Sequence, residues 1–398
     1  MNVLFMSLME YHSVSERDIY TDLLREFIRK GHRVFLLSPT ESQGGVTVEE
    51  SCTICQVPTG KIEKVNFIRK GVNTLLIEGR FKAAIKKHFQ GVRFDLILYP
   101  TPPITFVGAV AYAKKRDRAK TYLMLKDIFP QNAVDIGVIS KQGVSGLIYR
   151  FFRQKERRLY DVSDFIGCMS QANVDYILEH NPKLDAKKVG ICPNCTEYVD
   201  RSVTDDVRRQ MRKKYGIPQD RTVFVYGGNL GKPQGIPFLI DCLKSQQDNQ
   251  KTFFLVVGDG TEYPLLAQYA AKVKQDNFKL MQRLPKEDYD ALVGACDVGM
   301  LFLDHRFTIP NFPSRMLSYM QARLPILACT DPNTDVGKVI SEGGFGWWCE
   351  SSSVEAFQNA VDTVLRSDLL EMGRKSMEYL LDHYTEKDGY RAILSTIE

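Results

Sequence analysis

Residues Asp304–Thr330 read DHRFTIPNFPSRMLSYMQARLPILACT, and this stretch decides the fold. An apolar run, Val298–Leu303 (VGMLFL), leads in, and Pro310 and Pro313 interrupt the loop that follows. Ser314–Arg323 has helical spacing, and Pro325–Ala328 is a second apolar run. The order is strand, loop, helix, strand. Short apolar runs joined by helices build a parallel sheet, because the crossover helices cover both of its faces. The loop sets a helix N-terminus at the end of a strand, where open backbone N–H groups hold anions. Asn311, Ser314 and Arg315 are the expected anion-facing residues, with Ser318 one turn on.

The same pattern fills the rest of the second half. Thr222–Tyr226 (TVFVY) runs into GGNLGKPQG, in which Gly228, Asn229, Lys232 and Gln234 lie between a strand and a helix. Thr252–Val257 ends in Gly258-Asp259-Gly260. Glycine there lets a backbone approach a phosphate closely, although either turn alone is a weak signal. Phe278–Met281 reads as a strand, with Arg283 after it, and Lys286–Ala295 as a helix. Val354–Glu398 reads as a helical tail.

The first half uses the same units. Strands are expected at Asn2–Leu8, Arg33–Leu37, Phe94–Tyr99, Lys120–Leu125, Asp164–Met169 and Val189–Asn194. Helices are expected at Glu16–Lys30, Val65–Phe89, Ile104–Lys115, Val144–Asp161 and Gln171–His180. The charged segment Arg201–Gln219 marks a domain boundary. The expected fold is α/β with two Rossmann-like domains, 1–200 and 201–375, whose parallel sheets face a central cleft. A C-terminal helix, 376–398, is expected to pack back on the first domain.

At 398 residues the chain is too long for one ordinary core. Its 44% hydrophobic and 25% charged composition excludes disordered and collagen-like classes. No apolar run reaches the ~20 residues of a membrane span. Met1–His12 lacks the features of a secretion leader, so a cytoplasmic location is expected. Nine cysteines fit free thiols in a reducing compartment. Cys52-x2-Cys55 and Cys192-x2-Cys195 have zinc-type spacing within each pair, but the gap between the pairs is far too long, which favours buried thiols. Residues 1–200 hold 29 Lys+Arg against 22 Asp+Glu, and residues 110–160 hold 12 against 4. A basic half suits an anionic partner such as a membrane surface, a phospholipid head group or a polyphosphate. Nucleic acid is not an expected partner.

Val144–Tyr160 (VSGLIYRFFRQKERRLY) is a basic amphipathic helix with Leu147, Ile148, Phe151, Phe152 and Leu159 at helical spacing. It is either a membrane-surface helix or a crossover helix with its apolar face in the core. The second reading is the expectation for the apolar face, and the excess of cations favours an acidic surface nearby. Asp127 ends the Lys120–Leu125 strand beside Lys126. It can accept a proton from a hydroxyl, hold a ligand hydroxyl, or simply cap a helix. Glu10 and His12, after the first strand, are second-rank catalytic candidates.

These residues carry a resemblance. YGGNLGKPQG, VVGDGTEY and PSRMLSYMQARLPILA resemble the donor domain of the family 4 glycosyltransferases of the GT-B fold. That family has a strand–G-x-L–K-G turn, a V-G-D-G turn and P-S-x-x-x-E-Y-M-A-x-G-x-P-V-I-A. KDIFPQNAVDIG at Lys126–Gly137 resembles the D-L-W-P-E-S-A-V-x-L-G of capsule and O-antigen transferases, including fucosamine-type ones. The resemblance covers nearly the whole chain and is not specific for a sugar. Two family glutamates fall on Pro310 and Ser318, and the family's Arg and Lys at the first glycine turn fall on Asn229 and Gln234. Lys232, Arg283 and Arg315 are the replacements available for holding a diphosphate, together with Gly258, Asp259 and Gly260 and the backbone at Ser314–Arg315.

The resemblance implies a transferase of hexosyl or N-acetylhexosaminyl type. It would move a sugar from a nucleotide-diphosphate donor, UDP-linked, to a lipid-linked acceptor in bacterial capsule, O-antigen or lipopolysaccharide synthesis. Retention of configuration, no metal, no cofactor and a place on the inner face of the cell membrane are implied with it. The alternatives are a nucleotide-sugar 2-epimerase and a non-catalytic scaffold. The epimerase would need acid/base groups around the donor, where the second half offers only His305 and His383.

Overall fold

The computed structural model describes residues 1–59, 67–273 and 276–397. The chain forms two compact units, Met1–Glu197 with Glu386–Glu398, and Tyr198–Thr385. The first contains β1 (Asn2–Met6), β2 (Arg33–Thr40), β3 (Gly45–Glu49), β4 (Cys52–Pro58), β5 (Leu96–Pro100), β6 (Lys120–Leu125), β7 (Phe165–Cys168) and β8 (Val189–Ile191). Their spatial order is β3-β4-β2-β1-β5-β6-β7-β8. All pairs are parallel except β3 with β4. Every residue of β5 is buried, as a sheet covered on both faces requires. The antiparallel β3–β4 hairpin is not evident in the sequence. β3 (GVTVE) lies almost wholly in solvent at the sheet edge, so burial never patterned it. The expected helix from Val65 begins outside the described residues and is seen over Phe67–His88.

The second unit contains β9 (Thr222–Asn229), β10 (Thr252–Asp259), β11 (Phe278–Met281), β12 (Val298–Phe302), β13 (Ile326–Thr330) and β14 (Gly346–Glu350). They form a wholly parallel sheet ordered β11-β10-β9-β12-β13-β14. The chain enters at β9, lays β10 and β11 on one side, and then crosses to β12. Connections therefore diverge between β9 and β12, which opens a crevice beyond their carboxyl ends. β1 and β5 mark the equivalent divergence in the first unit. β14 (GWWCE) was not foreseen, being short and only partly buried. The expected helix Ser314–Arg323 is shorter, Arg315–Gln321, because Arg323 turns left-handed at φ 55°. No helix among the described residues is long and apolar enough to cross a membrane.

The charged segment 201–219 does not separate the units. It folds into a helix, Asp205–Lys214, whose Thr204 side chain caps Val207 N–H. Its Arg212 is buried, bonding Asp297 at 2.6 Å and the Ala295 carbonyl at 2.8 Å. The division falls instead between Glu197 and Tyr198.

The return to the first unit also begins later than residue 376. The helix Leu369–His383 stays in the second unit, and only the helix Glu386–Leu394 goes back. Glu386 starts it, with its N–H on the Thr196 carbonyl at 3.1 Å and its carboxylate on Arg29 at 3.0 Å. Tyr390 packs edge-on against Phe27 with ring centroids 4.9 Å apart, and Ile393 is fully buried in the same cluster. Ile393→Ala should therefore destabilise the first unit by ~2–4 kcal/mol, read as a lower midpoint in urea unfolding.

Candidate functional site

The turns after β9 and β10 interlock because both are glycine. Gly258 sits in register with Gly228, and a Cβ on it would lie 1.9 Å from the Gly228 carbonyl oxygen. Gly227 N–H donates to the Tyr319 hydroxyl at 3.2 Å, and Tyr289 fills the space a Cβ on Gly227 would need. Gly228 has φ 116°, and a Cβ there would lie 2.9 Å from Nη2 of Arg315. The bare backbone thus makes room for a guanidinium. Arg315 lies over the Tyr226 ring, 4.3 Å from its centroid, and forms no ion pair with any described carboxylate. A cation held this way against aromatic rings keeps its field for a ligand.

The loop after β12 completes the crevice. Asp304 N–H bonds the Pro233 carbonyl at 2.9 Å, tying this loop to the first glycine turn. The Asp304 carboxylate is neutralised by Arg306 through bonds of 2.8 and 2.7 Å. Thr334 Oγ1 donates to the Asn311 carbonyl at 2.5 Å, so Asn311 anchors the loop through its backbone. Met316 and Leu317 donate to the Pro313 and Ser314 carbonyls, which leaves the N–H groups of Ser314 and Arg315 open among the described residues. Ser314 is exposed and Ser318 half-buried.

The remaining expected donor residues fall into two sets. Asn229 and Gln234 bond each other at 3.2 Å, and Gln234 Oε1 also takes the Gly231 N–H at 3.1 Å, so these side chains brace the turn. A Cβ on Gly260 would lie 2.4 Å from the Leu230 carbonyl oxygen, so only glycine fits the approach to the next helix. Lys232, Asp259 and Arg283 are exposed and make no ion pair among the described residues. Sequence reasoning missed Asp331, at the end of β13. Its Oδ1 takes the Asn333 and Thr334 N–H groups at 2.9 and 3.2 Å, while its Oδ2 is buried without a partner. Burial pushes this carboxyl up to about 6.

In the first unit Asp127 does not cap a helix. The next helix, Gln131–Asp135, begins after Pro130 with no side-chain cap. Asp127 instead takes the Asn132 Nδ2 group on both oxygens at 2.7 Å. Thr101 grips the same turn, accepting from the Lys126 and Asp127 N–H groups at 3.0 and 3.1 Å. No cation among the described residues pairs with the carboxylate, and burial raises it to about 6 against the hydrogen bonds from Ile128 and Asn132. Asn132, which the sequence did not single out, fixes the orientation of the Asp127 carboxylate. Lys126 is engaged elsewhere: its Nζ bonds the Cys192 and Pro193 carbonyls, both at 3.1 Å. Glu10 and His12 come together, 3.7 Å apart, with Glu10 accepting from Thr40 at 2.5 Å and His12 facing Gln56 at 2.9 Å.

All nine cysteines are free and buried. Burial pushes Cys52 up to about 12 and Cys55 up to about 11, which keeps them as thiols. Among the described residues no group of His, Cys, Asp or Glu is placed to hold a metal.

Known proteins match this architecture and this chain. Residues 19–197 match the Glycosyltransferase Family 4 model and residues 207–379 the Glycosyl transferases group 1 model. The chain belongs to the family 4 glycosyltransferases of the GT-B fold, and it is a glycosyltransferase. WbjE of Pseudomonas aeruginosa, named a probable glycosyltransferase, is 24% identical over 356 residues, 86% of this chain and 87% of that one. WcaI of Escherichia coli (strain K12), named for colanic acid biosynthesis, is 24% identical over 206 residues, 52% of this chain and 49% of that one. The crystal structure of Anabaena HepE in complex with UDP shares the fold at TM-score 0.68 and 14% identity, covering 100% of this chain and 99% of that one.

Gly258→Ala should wedge the two glycine turns apart and cost ~1–3 kcal/mol in guanidinium unfolding. Asp127 binds more protons folded than unfolded, so its share of stability falls as pH rises from 3.8 to about 6. Asp127→Asn should flatten that part of the stability–pH curve, leaving the share that Asp331 contributes over the same window.

Proposed function

We propose that the enzyme transfers a sugar from a nucleotide-diphosphate donor, UDP-linked, to a hydroxyl on a lipid-linked glycan. Donor binding falls to the second unit and acceptor activation to the first. The observation that carries this reading is Arg315, a guanidinium packed on Tyr226 with no described carboxylate partner at the point where the β9 and β12 connections diverge. A diphosphate supplies the missing anion. The open N–H groups of Ser314 and Arg315 and the ammonium of Lys232 add donors to it. Charge grows on the diphosphate as the bond from the sugar's anomeric carbon to phosphate oxygen breaks, so donors fixed beforehand lower the barrier.

Asp127 takes the acceptor hydroxyl's proton as that oxygen bonds the anomeric carbon. Burial and Asn132 suit it to this role, since a carboxylate raised to about 6 is ionised at neutral pH yet more basic than an exposed one. A hexosyl or N-acetylhexosaminyl donor and independence from metal belong to the same reading, and so does retention of configuration, which requires the acceptor oxygen to approach the face of the sugar from which the diphosphate departs. The UDP held by HepE supports a UDP-sugar, and the name of WcaI, for colanic acid biosynthesis, supports a place in bacterial surface polysaccharide synthesis.

Arg315→Ala should weaken UDP binding ~10–100-fold in calorimetric titration. Asp127→Asn should abolish sugar transfer, followed by mass with membrane extract as acceptor, while UDP binds as before. A wild-type chain that binds no nucleotide would remove the donor assignment, and unchanged turnover of Asp127→Asn would remove the base.

A further inference from the structure

The helix Gly143–Val162 splits its sequence pattern: Phe152 and Leu159 turn inward, while Leu147, Ile148 and Phe151 face solvent. Its inward side is Gly146, Phe152, Glu156, Leu159 and Tyr160, with the buried Glu156 carboxylate satisfied by Arg153 and by the Tyr160 hydroxyl at 2.7 Å. A glycine and an internal ion pair thus share the core side with Phe152, Leu159 and Tyr160, and four other apolar residues are left outside. Val144 is 80% exposed, Leu147 62%, Ile148 41% and Phe151 44%. These four fall at i, i+3, i+4 and i+7, a single stripe on the solvent side.

Cations bracket the stripe. Lys141 precedes it, Arg158 follows on the same face two turns beyond Phe151, and Arg150 and Arg157 flank the helix. All four are exposed and make no ion pair among the described residues. From Lys141 to Arg158 is about 25 Å at helical rise, long enough to lie along a surface.

We propose that this face docks on an anionic lipid bilayer, with Val144, Leu147, Ile148 and Phe151 entering the headgroup–acyl boundary and the cations meeting lipid phosphates. An apolar stripe rimmed by unpaired Arg and Lys is the combination that interfacial binding requires. A second copy of the chain fits less well, since a two-fold contact would set Arg150 and Arg158 against their own charges. The placement also bears on the acceptor. Phe152, next to Phe151 in the helix, packs edge-on against Phe129 with ring centroids 5.1 Å apart, and Phe129 is two residues past Asp127. The docking face and the acceptor turn thus share one packed contact. Relevance to the acceptor rests on the lipid-linked reading given above, whereas docking itself does not.

The test is cosedimentation of the full chain with vesicles of phosphatidylglycerol and phosphatidylcholine, against phosphatidylcholine alone. Binding to the anionic vesicles is expected, weakened in high salt. Leu147→Gln with Phe151→Gln, and separately Arg150→Gln with Arg158→Gln, should each lower vesicle affinity about tenfold or more. UDP titration of the same proteins should be unchanged, and it reports a failure of the donor assignment separately from a failure of docking. Wild-type protein that ignores anionic vesicles, or variants that bind them as well as wild type, would overturn the proposal. So would an apolar-face variant that only dissolves a dimer in sedimentation velocity.

Discussion

A guanidinium packed into a folded domain without a carboxylate is costly, because desolvation opposes the charge and no opposite charge offsets it. Arg315 is held in that condition, and much of the second unit is arranged around it. Gly228 gives up its side chain to admit the Arg315 nitrogens. Tyr226 offers a ring face in place of an anion. Gly227 and Gly258 let Tyr289, Tyr319 and the neighbouring strand close in behind. The Asp304–Pro233 and Thr334–Asn311 bonds fix the loop above. An anion arriving there finds its counter-charge preorganised, in surroundings where Coulombic attraction exceeds its value in water.

The first unit isolates a charge of the other sign. Asp127 has an amide, a backbone N–H and a bracing threonine around it, but no cation among the described residues. Lys126, one residue away, is turned from it to hold the Cys192–Pro193 turn. The pairing of adjacent residues that sequence proximity suggests is thereby broken. That leaves the carboxylate more basic than an exposed one, since a neighbouring ammonium would have lowered it.

Buried parallel strands announced themselves: β1, β6, β9, β10, β12 and β13 are apolar runs, and the glycines closing β9 and β10 mark where backbones touch. β3 and β14 were illegible because neither is buried enough for its side chains to be patterned. The position of Arg315 was legible, but its stacking on Tyr226 was not, since that depends on register between β9 and a helix about 90 residues later. Asn229 and Gln234 read as ligand-facing, but the bond between them could not be read from the sequence. The helix Gly143–Val162 shows the limit most plainly. Periodicity placed Phe152 and Leu159 inward correctly but not Leu147, Ile148 and Phe151, because hydrophobicity alone cannot foresee that an Arg153–Glu156 pair will occupy the interior.

The helix Glu386–Leu394 makes the second unit an insertion within the first. Phe27, Leu23 and Cys195 lie in a core that also needs Ile393, and Ile393 is translated more than 360 residues after Phe27. During synthesis the amino-terminal sheet therefore emerges with one wall of its core absent. The inserted unit, whose residues are contiguous, can finish folding while its host is still open. This late segment acts as a clasp, so the first unit is completed only after the second has been made.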